Sequence, residues 1–363
     1  MQTNIRNAPL VLVGAGHAHL VSLRHWVTQG YRAPAGSLMI NPEPQAWYSG
    51  MMPGLIAGRF QSEQCQVPLA GLCAAVGLEL VCSKLSELNA DTGLLELADG
   101  QTIEFETLSL NSGAAAPTPF EHDQSLQLLG AKPFPGFIHQ WQSWLSSPPR
   151  QLAILGGGAA GFELAVALRI SFPDTLLDLF SSRTLLSGHP PRLARLARAR
   201  LKHAQVTLHE NQPIDSITDG QLYVQSSAVL QPQAVILATG TAAPAWQRRC
   251  GLDCDADGFI RINPQLQSLS HPSIFASGDC ASLPDTPHSG VYAVRQGGVL
   301  GDNLMAQIKG TALKTYQPQP SALALLACAD GSALLSYGSL ATEGRLAGKL
   351  KDWLDLRFMR QMT

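Results

Sequence analysis

Two short runs in this chain space glycine so that a backbone can meet a diphosphate: Gly14-Ala15-Gly16-His17-Ala18-His19 and Gly156-Gly157-Gly158-Ala159-Ala160-Gly161. Each follows an apolar run, residues 10–13 and 152–155, and opens a helix-like segment. In such a turn one glycine permits the sharp bend, a second lets the main chain approach a pyrophosphate, and a third lets helix pack against strand. The helix N-terminus then turns amide N–H groups and a positive dipole end toward the anion. One such hexapeptide is weak evidence, because glycine-rich turns abound; two in one chain are strong.

Gly14, Gly16, Gly156, Gly158 and Gly161 are the expected glycine positions of these two sites. The third position of the first run is His19, which predicts a helix held slightly away from its strand. His17 and His19, with His25 nearby, raise the thought of a metal, but two imidazoles on that turn would compete with the diphosphate for space. Polar packing or a hydrogen bond to the cofactor is the expectation, and no metal site is expected.

The elements around these runs repeat as well. Leu110-Asn111-Ser112-Gly113 and Leu237-Ala238-Thr239-Gly240 each close an apolar strand, and each is followed, one residue later, by Ala-Ala-Pro. Apolar strands alternate with helical or hairpin segments in both halves, the pattern of a mostly parallel sheet. An α/β protein with two Rossmann-like domains follows. A third strand-like run, Pro272-Ser273-Ile274-Phe275-Ala276-Ser277-Gly278-Asp279, comes after the second unit.

This order of motifs resembles the two-dinucleotide-binding-domain flavoproteins related to glutathione reductase, over nearly the whole chain. The resemblance implies FAD in a first domain, residues 1–117 and 266–312, and NADH or NADPH in an inserted domain, residues 118–265. A short C-terminal α+β segment, residues 313–363, completes the chain. Ser112, Gly113, Thr239 and Gly240 then border the nucleotides. Gly278 and Asp279 sit at the flavin, the Asp279 carboxylate accepting from a ribityl hydroxyl, although an acid there also suits a helix N-cap.

Residue by residue, the resemblance also puts Asn41, with Glu43 nearby, where an acid usually meets the adenosine ribose; an amide can still bond a hydroxyl. Glu163 falls where the family places a glutamate near the nicotinamide side of the flavin. Lys132 is a candidate for contact with flavin N5, with a solvated loop lysine as its alternative. Met52 and Pro53 on one side, and Val291, Tyr292 and Ala293 on the other, are expected against the ring, Tyr292 being alternatively simple core. Arg183 follows a strand without the acid that reads the NAD ribose, so the cofactor reading leans to NADPH.

The disulfide reductases of that group carry a redox cysteine pair where this chain has Trp47-Tyr48-Ser49-Gly50-Met51-Met52-Pro53-Gly54. Fewer than ninety residues follow Asp279, short of the dimerisation domain those enzymes use. The stretch from Tyr48 to Gly58, joined with the first glycine run, Ser289 to Gly297 and Lys351-Asp352-Trp353-Leu354-Asp355, is similar to the NADH-dehydrogenase-like flavoproteins that occur alone or fused to selenide, water dikinase. Those are allied to type II NADH dehydrogenases and sulfide:quinone oxidoreductases. The resemblance implies an FAD-dependent NAD(P)H oxidoreductase that passes electrons to a quinone-like or other small acceptor. Alternatives are a flavin-bound partner protein serving a selenium or sulfur pathway, and a flavin monooxygenase. Cys280, beside Asp279, is expected to pack inward rather than to serve sulfide chemistry.

Composition removes other classes. A net charge of −2 without long runs of either sign excludes the footprint of a nucleic-acid binder. No apolar stretch reaches membrane-spanning length and residues 1–9 are polar, so the chain reads as cytoplasmic. Seven cysteines, an odd number, fit reduced thiols, and Cys250 with Cys254 supply too few ligands for zinc. From Arg345 to Met362, Leu346, Leu350, Trp353, Leu354 and Leu356 fall to one side, with Lys349, Lys351, Arg357 and Arg360 among them. Such a helix can lie on a membrane surface, on its own domain or on a second subunit.

Overall fold

The computed structural model describes residues 5–362; residues 1–4, the start of the polar lead-in, and Thr363 lie outside the described residues. Its first sheet grows from the strand Ile5–Val13, which pairs in parallel with Leu38–Asn41 on one side and Thr102–Leu110 on the other. Residues 10–13 are wholly or almost wholly buried, as expected of a strand covered on both faces. Ile274–Ala276, more than 160 positions later, returns to this sheet beside residues 108–110 of Thr102–Leu110.

A second parallel sheet, in the order Gln127–Gly130, Ala234–Leu237, Gln151–Leu155, Leu176–Ser181 and Thr207–Glu210, lies between these two visits. Both sheets are mostly parallel with helices in their crossovers, which is the α/β architecture expected. The two Ala-Ala-Pro segments meet: Ala115 and Ala242 exchange backbone hydrogen bonds of 2.9 and 2.8 Å. The repeat in the sequence is thus a pair of segments joined by an isolated antiparallel bridge.

After the return helix, Gly290–Lys309, three antiparallel strands, Ala324–Ala327, Ala333–Tyr337 and Leu340–Gly344, lead into the C-terminal helix Arg345–Met362. This last unit is pinned to both others. Arg59 meets Asp352 at 2.6 Å in the first, and Arg200 meets Asp330 and Glu343 at 3.0 and 3.3 Å in the second.

The C-terminal helix buries Ala347, Gly348, Asp355, Met359 and Met362. Its leucine and tryptophan stripe does not pack inward: Leu346 is 83% exposed and Trp353 49%. Lys351, grouped in the sequence with the basic residues among those leucines, parts from them and points inward, its side chain only 13% exposed. Its partners lie inside, the Gly50 carbonyl at 2.8 Å and the Asp355 carboxylate at 3.0 Å, and on the same helix a Cβ on Gly348 would overlap the Gly331 carbonyl. Among the described residues no helix is long and apolar enough to cross a membrane.

Candidate functional site

At the first glycine loop Gly14 has φ +85°, and a Cβ there would lie 2.6 Å from the Asn111 carbonyl oxygen. Only glycine fits such a turn. The helix His17–Gln29 begins at Gly16 with no side-chain cap. Its N-terminus is therefore open to an anion.

His19 departs from expectation as a cofactor residue. Its ring is fully buried, Nδ1 lying 2.6 Å from the Gly14 carbonyl and Nε2 2.8 Å from Ser109 Oγ. A carbonyl only accepts, so Nδ1 carries the proton and Nε2 accepts from the hydroxyl. Burial pushes this imidazole down to about 4, the Gly14 bond opposing. His19 braces the loop and has no ring atom left for a ligand.

His17 lies against the rings of Tyr48 and Phe358, with centroids 5.3 and 5.9 Å away. It too is driven down to about 4 by burial, with Asp279 opposing and Lys132 adding. Asn41 closes its strand, accepting from Ala15 N–H at 2.9 Å and donating to the Glu43 carbonyl at 2.7 Å. Its amide N–H groups face inward, leaving one oxygen lone pair for a ribose hydroxyl.

Asn111, which sequence reasoning did not single out, joins three motifs. Its Oδ1 accepts from His19 N–H at 3.2 Å, and its Nδ2 donates to the Ser277 carbonyl at 2.7 Å. A Cβ on Gly16 would overlap it. The available signal was an amide ending an apolar strand at the position where the repeat has Ala238.

Gly278 N–H donates to Gln296 Oε1 at 2.7 Å, and a Cβ on Gly278 would crowd the Asn111 amide and the Ala293 methyl. Asp279 and Lys132 meet at 2.5 Å, although 147 positions separate them. Ser112 and Gly113 follow Asn111 on the same loop. Ser289 caps the return helix through Val291 N–H; Val291 is exposed, while Tyr292 is buried and donates its hydroxyl to the Gln319 carbonyl at 3.2 Å. The Tyr292 proton is therefore committed within the protein. Cys280 is fully buried and burial raises its thiol, so it packs inward as expected.

At the second loop, Gly158 starts the helix Ala159–Ser171, again without a side-chain cap. A Cβ on Gly161 would run into the Gly156 carbonyl oxygen, so helix and turn are in direct contact. Thr239 donates to the Pro117 carbonyl at 2.5 Å, and Gly240 follows it at the mouth of the loop. Arg183 stands exposed just beyond Leu176–Ser181.

Glu163, one turn into that helix, accepts from Ala327 N–H at 2.7 Å. Burial raises its carboxyl; Lys351 pulls it back and Asp355 pushes it further up. Lys351 Nζ donates to the Gly50 carbonyl at 2.8 Å and meets Asp355 at 3.0 Å. The Tyr48 hydroxyl donates to the other Asp355 oxygen at 3.0 Å, and burial raises Asp355 as well. Met52 and Pro53 start the buried turn Met52–Ile56 next to this cluster; Phe358 stacks on Tyr48 at 4.5 Å. Sequence reasoning missed Tyr48, Lys351 and Asp355 as a group, because one partner comes from the first domain and two from the last helix.

Two helix N-termini that start at glycine N-caps behind glycine turns fit two dinucleotide pyrophosphates. The Gly278-Asp279 turn beside the first fits FAD there, and the second fits NADH or NADPH. Among the described residues no group of three or more His, Cys, Asp or Glu is placed to hold a metal.

Residues 8–297 match the model of the family described as pyridine nucleotide-disulphide oxidoreductase. A ferroptosis suppressor protein 1 from Taeniopygia guttata is 24% identical over 61% of this chain and 62% of its own length. The NADH dehydrogenase-like protein YutJ of Bacillus subtilis is 29% identical over 46% of this chain and 47% of its own. The chain thus spans less than two thirds of the length of these curated relatives. The solved sulfide:quinone oxidoreductase of Aquifex aeolicus superposes with a TM-score of 0.77 at 15% identity, covering 98% of this chain and 91% of that one.

Proposed function

The chain belongs to the pyridine nucleotide-disulphide oxidoreductase family, and from that premise we propose that it is an FAD-dependent NAD(P)H oxidoreductase delivering electrons to a quinone-like acceptor. The observation that carries this reading is that side chains from both units come together: Lys132, at the crossover into the second unit, pairs with Asp279 of the first, and Glu163, on the helix of the second glycine loop, lies within electrostatic reach of Lys351 and Asp355, which bond Gly50 and Tyr48 of the first. When bound, the flavin supplies two-electron transfer from a reduced nicotinamide to an acceptor.

The chain's own residues do the rest. The glycine loops hold the two diphosphates and so fix the reacting rings relative to each other, which removes much of the entropy of their encounter. Lys132 holds Asp279 in place for a ribityl hydroxyl and brings positive charge to that end of the site. Glu163, its carboxyl shifted toward the protonated form by burial, is a group that could pass a proton, as reduction of a quinone to a quinol requires. Tyr48, Phe358 and His17 form an aromatic wall beside the first loop and exclude water there.

A quinone-like acceptor is supported by the C-terminal helix. Its inner face carries Lys351 and Asp355 into the cluster, while its outer face presents Leu346, Leu350, Trp353 and Leu354 with Lys349 and Arg357. An apolar and cationic face of this kind suits the surface of an anionic membrane, where long-chain quinones dissolve. Arg183, two residues beyond a strand that ends without the acid of NAD-binding folds, favours NADPH as donor.

The test is anaerobic stopped-flow absorbance with NADH and NADPH in turn, followed by a short-chain quinone. Rapid bleaching of the visible flavin band by a nucleotide and its recovery on adding quinone are expected. A yellow protein that neither nucleotide bleaches would defeat this reading and favour a partner protein that holds flavin without nicotinamide turnover.

A further inference from the structure

Among the described residues, seven buried side-chain nitrogen or oxygen atoms have no hydrogen-bond partner, and five of them belong to four residues around the start of the return helix. Ser277 precedes the Gly278 turn that this helix holds through Gln296, and His288 precedes its cap. Tyr316 and Gln319 lie in the irregular segment after it. Tyr316 is close enough to Tyr292 and Arg295 to feel their charges. Buried polar atoms are nearly always paired, so such a concentration marks a place that something else completes.

Gln319 stands apart because both Nε2 and Oε1 are unpartnered. Its backbone carbonyl, bonded to the Tyr292 hydroxyl at 3.2 Å, fastens it to the first turn of the return helix. An amide presents a donor and an acceptor side by side in one plane. Its complement is a flat group with an acceptor next to a donor. The pyrimidine edge of a flavin, a ring N–H between two carbonyls, has that pattern. A quinone offers only acceptors and would leave Oε1 open. The positive end of the helix dipole also favours the electron-rich edge of the ring.

We propose that Gln319 pairs with the pyrimidine edge of the flavin, Nε2 donating to a ring carbonyl and Oε1 accepting from the ring N–H, and so helps set FAD affinity and midpoint potential. This assignment rests on the FAD reading of the first glycine loop. The carboxamide of a nicotinamide carries the same donor and acceptor pair, so the test must separate the two.

Wild type, Gln319→Leu and Gln319→Glu are compared in FAD dissociation followed by flavin fluorescence, in visible spectrum and midpoint potential, and in urea unfolding of the FAD-stripped chain. Gln319→Leu should weaken FAD binding about tenfold and shift the visible band. It should leave unfolding of the stripped chain unchanged or harder, because it removes two unpaired polar atoms. Gln319→Glu should lower the midpoint potential, its carboxylate opposing the charge gained on reduction. FAD affinity, spectrum and potential equal to wild type in Gln319→Leu would overturn the proposal. An effect confined to the KM for NAD(P)H would do the same and assign the amide to the nicotinamide, and a stripped chain that unfolds more easily would reduce Gln319 to a scaffold residue. Wild-type protein that binds no FAD defeats the flavoprotein reading itself, and the proposal with it.

Discussion

At the second glycine loop the helix rests directly on the turn, Gly161 against the Gly156 carbonyl, whereas at the first an imidazole stands between them. His19 fills the space with a ring that bonds the Gly14 carbonyl on one side and Ser109 on the other. What the turn requires at its third position is therefore a filled gap with its polar groups paired; glycine is one solution and a neutral histidine another. The solutions differ in their sensitivity. Steric contact at Gly161 tolerates no added atom, while the His19 strut tolerates no added proton.

The largest effect should come from Gly161→Val. Its side chain would force helix and turn apart, so bleaching of bound flavin by NAD(P)H should slow at least about hundredfold, a barrier change of about 3 kcal/mol. The flavin-to-protein absorbance ratio should stay at the wild-type value; a parallel loss of flavin would show that the two loops do not act independently.

Next in size is His19→Gly, which copies the second loop's residue into the first. Loss of a buried ring and two hydrogen bonds should cost on the order of 3 kcal/mol of stability, read by denaturant unfolding. If the variant were as stable as wild type, the strut would be dispensable and the contrast drawn above would fail.

A pH series sharpens the same contrast. His17 and His19 have native values of about 4, below their usual 6.5, so the unfolded chain binds protons more readily than the native one. The stability they confer is complete above about pH 6.5 and drains as the pH falls toward about 4, for His19 by on the order of 3 kcal/mol. The second loop contains no histidine. Acidification should thus release FAD before it weakens NAD(P)H binding; simultaneous loss of both would contradict this order. The smallest effect expected is for Arg183→Ala, which should raise the KM for NADPH about tenfold and that for NADH less than twofold.

The amino-acid sequence alone determined the two glycine turns, the crossover repeat, the Gly-Asp return and the absence of a redox cysteine pair. Each of these acts over a few residues, through backbone sterics and strand burial, so spacing suffices to show it. Asn41, Glu163 and Asp279 were legible as positions only through the family resemblance, which maps each onto a strand end or helix start. Their hydrogen-bond commitments were not. The tertiary structure alone decided that His19 faces a carbonyl rather than a ligand, and that Asn111 ties three motifs together. It alone joined Lys132 to Asp279 across 147 positions and turned Lys351 and Asp355 inward while the leucines of their helix face out. Such pairings depend on which distant segments fold against one another. A charged residue on an amphipathic pattern reads as surface until the neighbour that accepts its hydrogen bonds is in place.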